Sequence, residues 1–309
     1  VFYLLNLNTL EYQYHHPVML KECIEGLNIK PDGIYVDVTF GGGGHSREIL
    51  KHLTTGHLYG FDQDEDAQEQ SRKIDSPNFT FVRANFRNIR KFLKVYGVSK
   101  VDGILADLGI SSHQIDTAGR GFSTRFEAEL DMRMNTSSEA SAKEVVNEYS
   151  EEDLHKIFGM YGELKNAKSV ARNIVASRPL STISDLKRVL SPIAPRGKEN
   201  KFHAQVFQAL RIEVNEELKV LEEFLTQVPE ILKVNGRLVV MAYHSLEDRP
   251  VKNFIRSGKF FGEVEKDLFG NEIKPLQAIT RKAVEATAEE IAINSRARSA
   301  KLRIAEKLA

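Results

Sequence analysis

Cysteine occurs once in the 309 residues, at Cys23. A single thiol excludes an internal disulfide framework and a thiolate metal cluster, and it suits a reducing, cytoplasmic compartment. Long hydrophobic runs are also missing. The longest, such as Leu238 to Ala242, fall far short of the roughly 20 residues that cross a bilayer, so no membrane span is expected. Val1 to Leu10 is mildly apolar but lacks a basic n-region and a small-residue cleavage site, and reads as a local extension. Net charge is absent as well: 43 basic residues balance 43 acidic ones, so a nucleic-acid partner would have to be held by a local patch. His15-His16 matches no metal-ligand spacing, and no metal site is expected. Repeats and low-complexity tracts are lacking too, and the hydrophobic content of 41% argues against disorder. The length fits one α/β unit carrying an insertion.

What is present begins with alternation. From Gly33 to Asp107 short apolar runs, Ile34 to Val38, Leu58 to Phe61, Phe79 to Val82 and Val101 to Ala106, read as strands. Ser46 to Leu53 and Phe86 to Val95 between them carry apolar residues at helical spacing. That pattern predicts a parallel sheet covered on both faces. From about Asp116 to Asn200 the pattern becomes helical only, with helices expected over Ala142 to Tyr149, Glu151 to Phe158 and Lys165 to Ser177. A long helix over Gln205 to Leu225, a strand over Arg237 to Tyr243 and a last, antiparallel strand over Ser299 to Ala305 return the chain to the sheet. The expected division is therefore a core of residues 1–114 and 205–309 and an inserted helical domain of residues 115–204.

The first strand runs into Gly41-Gly42-Gly43-Gly44-His45 and then a helix. Glycines without Cβ atoms let a ligand approach the backbone, and a helix N-terminus favours an anionic group. Asp62 closes the second strand about twenty residues later, where an acid in a nucleotide-binding unit accepts ribose hydroxyls. Hydride transfer and methyl transfer both use such a pair. The fourth strand ends in Asp107-Leu108-Gly109, and a carboxylate at that edge could accept a hydrogen bond from an exocyclic amine. The amine lone pair of cytosine or adenine is delocalised into the ring, and such an acceptor sharpens it. Methylation at pyrimidine C5 would instead call for a thiolate, and Cys23, far upstream of Asp107, is a poor candidate.

Several strings, in order, resemble one family, the bacterial small-subunit ribosomal RNA methyltransferases that modify cytosine N4, historically called MraW. They are His16-Pro17-Val18-Met19-Leu20, Pro31 through His45, Asp107-Leu108-Gly109 with Ser111-Ser112, Arg120-Gly121-Phe122-Ser123, Leu130 to Met134, Phe207 to Ile212 with Val214-Asn215, His244 to Arg249, and Arg296 to Ala300. The resemblance covers nearly the whole chain. It implies a Rossmann-like class I methyltransferase sheet of seven strands, the last antiparallel, with the inserted helices serving as a substrate-recognition lid. It implies S-adenosylmethionine as cofactor, with Gly43, Gly44 and His45 around its methionine part, Asp62 at the ribose, Phe86 beside the adenine, and Asp107 and Gln114 also in the site. The implied partner is 16S ribosomal RNA within the small subunit or a late assembly precursor, modified in the decoding region.

His244 then becomes a candidate for the target-base pocket beside Asp107. Arg120, Arg133, Arg296 and Arg298 become candidates for phosphate contact, and Phe122 for base stacking or, equally, for the core. The chain departs from the family at Ser112-His113-Gln114, at Phe202 to Val206, where an arginine is lost, and at Asn294-Ser295-Arg296. A non-catalytic RNA-binding assembly factor and a nicotinamide oxidoreductase are the rival readings.

Overall fold

The computed structural model describes residues 17–309. His15, His16 and Val1 to Leu10 lie outside the described residues. Residues 17–109 and 219–309 form one compact unit and Ile110–Leu218 another.

In the first unit β1 (Ile34–Asp37), β2 (His57–Asp62), β3 (Phe79–Arg83), β4 (Val101–Asp107) and β5 (Leu232–Ala242) lie parallel. A hairpin of β6 (Glu265–Lys266) and β7 (Glu272–Ile273) stands apart from the sheet. The sheet continues through β8 (Leu276–Ala278), β9 (Val284–Glu285) and β10 (Lys301–Lys307), in the order β3-β2-β1-β4-β5-β10-β8 with β9 also on β10. The seven strands expected are the seven of this path, and β10 is antiparallel to β5 as expected. The short β9 adds an eighth that two residues could not announce. β4 is buried along almost its whole length, which is why it reads as a continuous apolar run and not as an alternation. Strand order reverses between β1 and β4, so their carboxyl ends open a crevice at the switch point where α/β sheets bind ligands.

The second unit is helical, with one isolated bridge between Glu129 and Thr182. Its core gathers Leu154, Phe158, Val170, Ile174 and Leu186, each fully or almost fully buried. Residues 205–218, expected with the sheet, belong here because Val206, Phe207, Ala209 and Leu210 pack into this core. The single helix expected over Gln205 to Leu225 is two, Glu199–Val214 and Glu217–Ile231. Glu216 takes a left-handed φ of 50° between them. The Asn215 amide accepts from Met134 N and donates to the Met132 carbonyl, which holds the break open. Helical periodicity on both sides hides such a joint. Among the described residues no helix is long and apolar enough to cross a membrane.

Candidate active site

β1 ends at Asp37, and the loop that follows takes positive φ at Gly41 (51°) and Gly43 (75°) before the helix Gly44–Lys51. That helix has no side-chain cap. Among the described residues no acceptor meets the amides of Gly44, His45 and Ser46, the orphan donors of a helix start. Asp62, at the end of β2, is tied to the same loop: its Oδ2 accepts from Gly41 N at 2.8 Å and its Oδ1 from Asp64 N at 2.9 Å. Each oxygen keeps a second lone pair for a hydroxyl. Phe86 follows β3 in a short turn of helix, half-buried, edge-on to Phe224 at 5.4 Å. Asn85 beside it donates to Gln63, the residue that follows the end of β2.

Asp107 closes β4. Its backbone N–H donates to Thr39 Oγ1 at 2.6 Å and its Oδ1 accepts from the Tyr243 hydroxyl at 2.8 Å. Its Oδ2 lies 3.9 Å from His45 Nδ1, a distance of charge contact and not of hydrogen bonding. His45 Nε2 is 3.1 Å from the Val18 carbonyl, which can only accept, so the proton is assigned to Nε2. Asp37 stands behind them, 1% exposed, accepting from Ser46 Oγ at 2.7 Å and from Thr39 N. On the β5 side Glu247 is buried: its Oε2 accepts from Tyr243 N at 2.9 Å, and its Oε1 lies 3.1 Å from His244 Nε2.

Asp37, Asp62 and Asp107 thus collect at the ends of neighbouring strands, with no lysine or arginine partner among the described residues. Burial pushes Asp107 up to about 6, against the opposing pull of His45 and the Tyr243 hydroxyl. Burial likewise pushes Asp62 up to about 6, against its two backbone amides, and raises Asp37. The Tyr243 hydroxyl is driven well above its ordinary value by burial and then by Asp107, so it stays a donor. Cys23 is fully buried, and burial followed by the Asp107 charge keeps its thiol protonated. Far in sequence from Asp107, it lies close enough in space to feel that charge, yet as a protonated thiol it is no nucleophile.

Gly43, His45, Asp62, Phe86, Asp107 and His244 therefore come together on one edge of the first unit. Gly44 is there as well, but a Cβ on it would stand 2.3 Å from Pro17 Cγ, so glycine is demanded by packing whatever the loop binds. Tyr243, Asp37 and Glu247 were not singled out by sequence as parts of this site. The signal for Asp37 and Tyr243 was an acid or tyrosine at the end of an apolar strand immediately before a motif, whereas Glu247 lies in the first turn of the helix Ser245–Ser257.

The remaining candidates lie on other elements. Gln114 lies in the second unit, buried, where its side chain accepts from Ser111 N in a capping box. Phe122 is buried in the helical core. Arg133 grips both oxygens of Asp131 and donates to the Ser138 carbonyl, while Arg120 donates to the carbonyls of Arg133 and Met134. Both guanidinium groups are engaged in holding their own loop. Arg296 and Arg298 sit on the short helix Ser295–Ser299 that leads into β10, Arg298 exposed and Arg296 half-buried.

The residues at the switch point fit an adenosyl group with an amino-acid tail: donors at the helix start for a carboxylate, Asp62 for ribose hydroxyls, a half-buried ring for a base. A sequence model of the MraW methylase family matches residues 12–308. The chain is 59% identical over 297 residues to the ribosomal RNA small subunit methyltransferase H of Cytophaga hutchinsonii, covering 95% of this chain and 99% of that protein. It is 57% identical over 300 residues to the protein of the same name from Christiangramia forsetii, covering 96% and 98%.

Proposed function

The chain belongs to the MraW methylase family, and from that premise we propose that it methylates the exocyclic N4 of a cytosine in the decoding region of 16S ribosomal RNA, in the cytoplasm, on the small subunit or a late precursor. When bound, S-adenosylmethionine supplies a methyl group on a positively charged sulfur, open to attack by a nitrogen lone pair. In this reading the Gly44, His45 and Ser46 amides hold its carboxylate, Asp62 its ribose, and Phe86 packs on its adenine.

The observation that carries the reading is the Asp107 carboxylate at the switch point. Its Oδ1 is fixed by Tyr243 and its Oδ2 has no hydrogen-bond donor among the described residues. With its pKa near 6 it is mostly ionised at neutral pH, and it is a stronger base than an ordinary aspartate. Accepting the amine N–H shifts electron density onto nitrogen and takes up the proton as the N–CH3 bond forms. His244, held by Glu247, lines the base pocket. The helical unit, residues 110–218, recognises the RNA.

The test is to map methylated nucleotides by mass spectrometry in small-subunit RNA from cells lacking the protein. One N4-methylcytidine should disappear, and return with the wild-type gene but not with Asp107→Asn. An unchanged modification map in those cells would overturn the reading.

A further inference from the structure

The carboxyl edge that holds Asp107 continues across β5 onto β10. Because β10 is antiparallel to β5, its first residues lie beside the last of β5: Lys301 pairs with Ala242 and Leu302 with Met241. Met241 in turn pairs with Asp107. Leu302 and Ile304 are buried on one face, which turns Lys301 and Arg303 toward the face carrying the helix Ser245–Ser257. β9 pairs Glu285 with Lys301 on the outer side. Lys252, Arg281, Lys282, Lys301 and Arg303 consequently line one open cleft, with Glu285 its only acid.

The five cations are not equivalent. Arg303 is gripped by both oxygens of Asp248, at 2.6 and 2.9 Å, and that pair braces β10 against the helix. Lys252 stands one turn beyond Asp248 on the same helix. Lys252, Arg281, Lys282 and Lys301 are all exposed and have no ion-pair partner among the described residues. Four such cations against one carboxylate form a local excess inside a chain whose total charge is zero. A folding role does not explain them, since unpaired like charges repel.

We propose that this cleft holds the phosphate backbone of the RNA strand at nucleotides flanking the target base, a proposal that rests on the RNA-methylation reading above. β10 is two strands from Asp107 and β9 three, roughly 10 to 15 Å at about 4.8 Å per strand. A stacked strand advances roughly 3.4 Å per phosphate, so the cleft meets the backbone about three or four nucleotides from the reacting base. Contacts of this kind set register on the RNA and leave sequence choice to the base pocket.

The test compares the triple variant Lys252→Gln, Lys282→Gln, Lys301→Gln with a charge-matched control, Lys73→Gln, Lys91→Gln, Lys94→Gln, on an exposed surface away from the cleft. Binding of an oligouridylate of about 20 nucleotides is followed by fluorescence anisotropy from about 50 to 200 mM KCl, the range over which phosphate contacts are most salt-sensitive. The cleft variant should lose on the order of tenfold in affinity, and its slope of log K against log salt should become shallower by about 2. The control should match wild type. With small ribosomal subunits as substrate, KM should rise for the cleft variant while kcat stays within about twofold. Wild-type affinity and slope in the cleft variant would overturn the proposal, as would an equal loss in the control. If the wild-type protein methylates no small subunit, the methylation reading fails, and the oligouridylate titration still decides the cleft.

Discussion

The two ends of β4 each carry an aspartate, and the protein treats them in opposite ways. At the amino end, burial alone would raise Asp102, but the Lys233 ammonium at 2.7 Å and the Ile34 amide outweigh it and hold the carboxyl below the usual carboxylate range. At the carboxyl end, five residues on, Asp107 has a tyrosine and a more distant histidine, and burial wins. The helical unit sides with Asp102: Arg133 overcomes the burial of Asp131 and lowers its pKa, and Arg211 closes on Glu217 through two hydrogen bonds. Charge that serves the fold is paired where it is buried. Among the described residues, the aspartates whose pKa burial raises, Asp37, Asp62 and Asp107, lie at one edge of one sheet, at the switch point, which is where a reactive group would be kept poised at a cost in stability.

The largest effect expected from this contrast is on rate. Asp107→Asn keeps the shape and an acceptor for Tyr243, but removes the charge and can present an amide donor to the substrate amine. At saturating S-adenosylmethionine its single-turnover methyl transfer should fall on the order of 10² to 10³. Asp102→Asn, on the same strand, should leave that rate unchanged and lower stability by about 1 kcal/mol through its lysine. A saturated rate for Asp107→Asn within about threefold of wild type would remove Asp107 as the amine acceptor and erase the contrast.

Sequence exposed this edge unevenly. Asp62 and Asp107 were legible because each ends an apolar run, and a buried strand has no other reason to finish on an acid. Tyr243 was not, because its bond to Asp107 joins residues 136 apart, and only the pairing of β4 with β5 creates it. The glycine loop was legible as a loop, but the reason for Gly44 was not: Pro17, a distant packing partner, demands it. The arginines misled most. Arg120 and Arg133 beside a family motif look the same whether they face a phosphate or a neighbouring carbonyl, and only the folded loop separates the two.

A second, smaller effect sharpens the comparison through pH. Asp62 and Asp107 have folded pKa values of about 6, above the unfolded value of roughly 3.9. The folded state therefore binds protons that the unfolded state does not. Their contribution to stability is fully present below about pH 4 and is lost as pH rises through 6. Denaturant unfolding should show the protein gaining stability from pH 7.5 to about 5. Asp107→Asn should flatten that gain and be more stable than wild type at pH 7.5, by about 1 to 3 kcal/mol. Saturated methyl transfer should move the other way and fall below about pH 6, as Asp107 takes up its proton. If stability and activity fall together in that window, the two carboxylates are not the strained groups described here.

The smallest effect tests the other half of the contrast, that charge in the helical unit serves the fold. Arg133 and Asp131 are each about a quarter exposed; the guanidinium donates twice to the carboxylate and once to the Ser138 carbonyl, and the Arg133 backbone N–H donates to Asp131 as well. Removing the guanidinium leaves a partly buried carboxylate with a backbone donor but without its charge partner, so Arg133→Gln should lower unfolding stability by about 1 to 2 kcal/mol. Asp131 has a lowered folded pKa, so its share of stability is present above the unfolded pKa and is lost as pH falls through the folded one. That acid sensitivity should shrink in Arg133→Gln, a signature a surface phosphate contact would not produce. The salt slope of oligouridylate binding should stay at the wild-type value, because the guanidinium is already neutralised before any phosphate arrives. A slope shallower by about 0.7 in a variant of unchanged stability would return Arg133 to the RNA surface and leave the contrast between the two units without its second half.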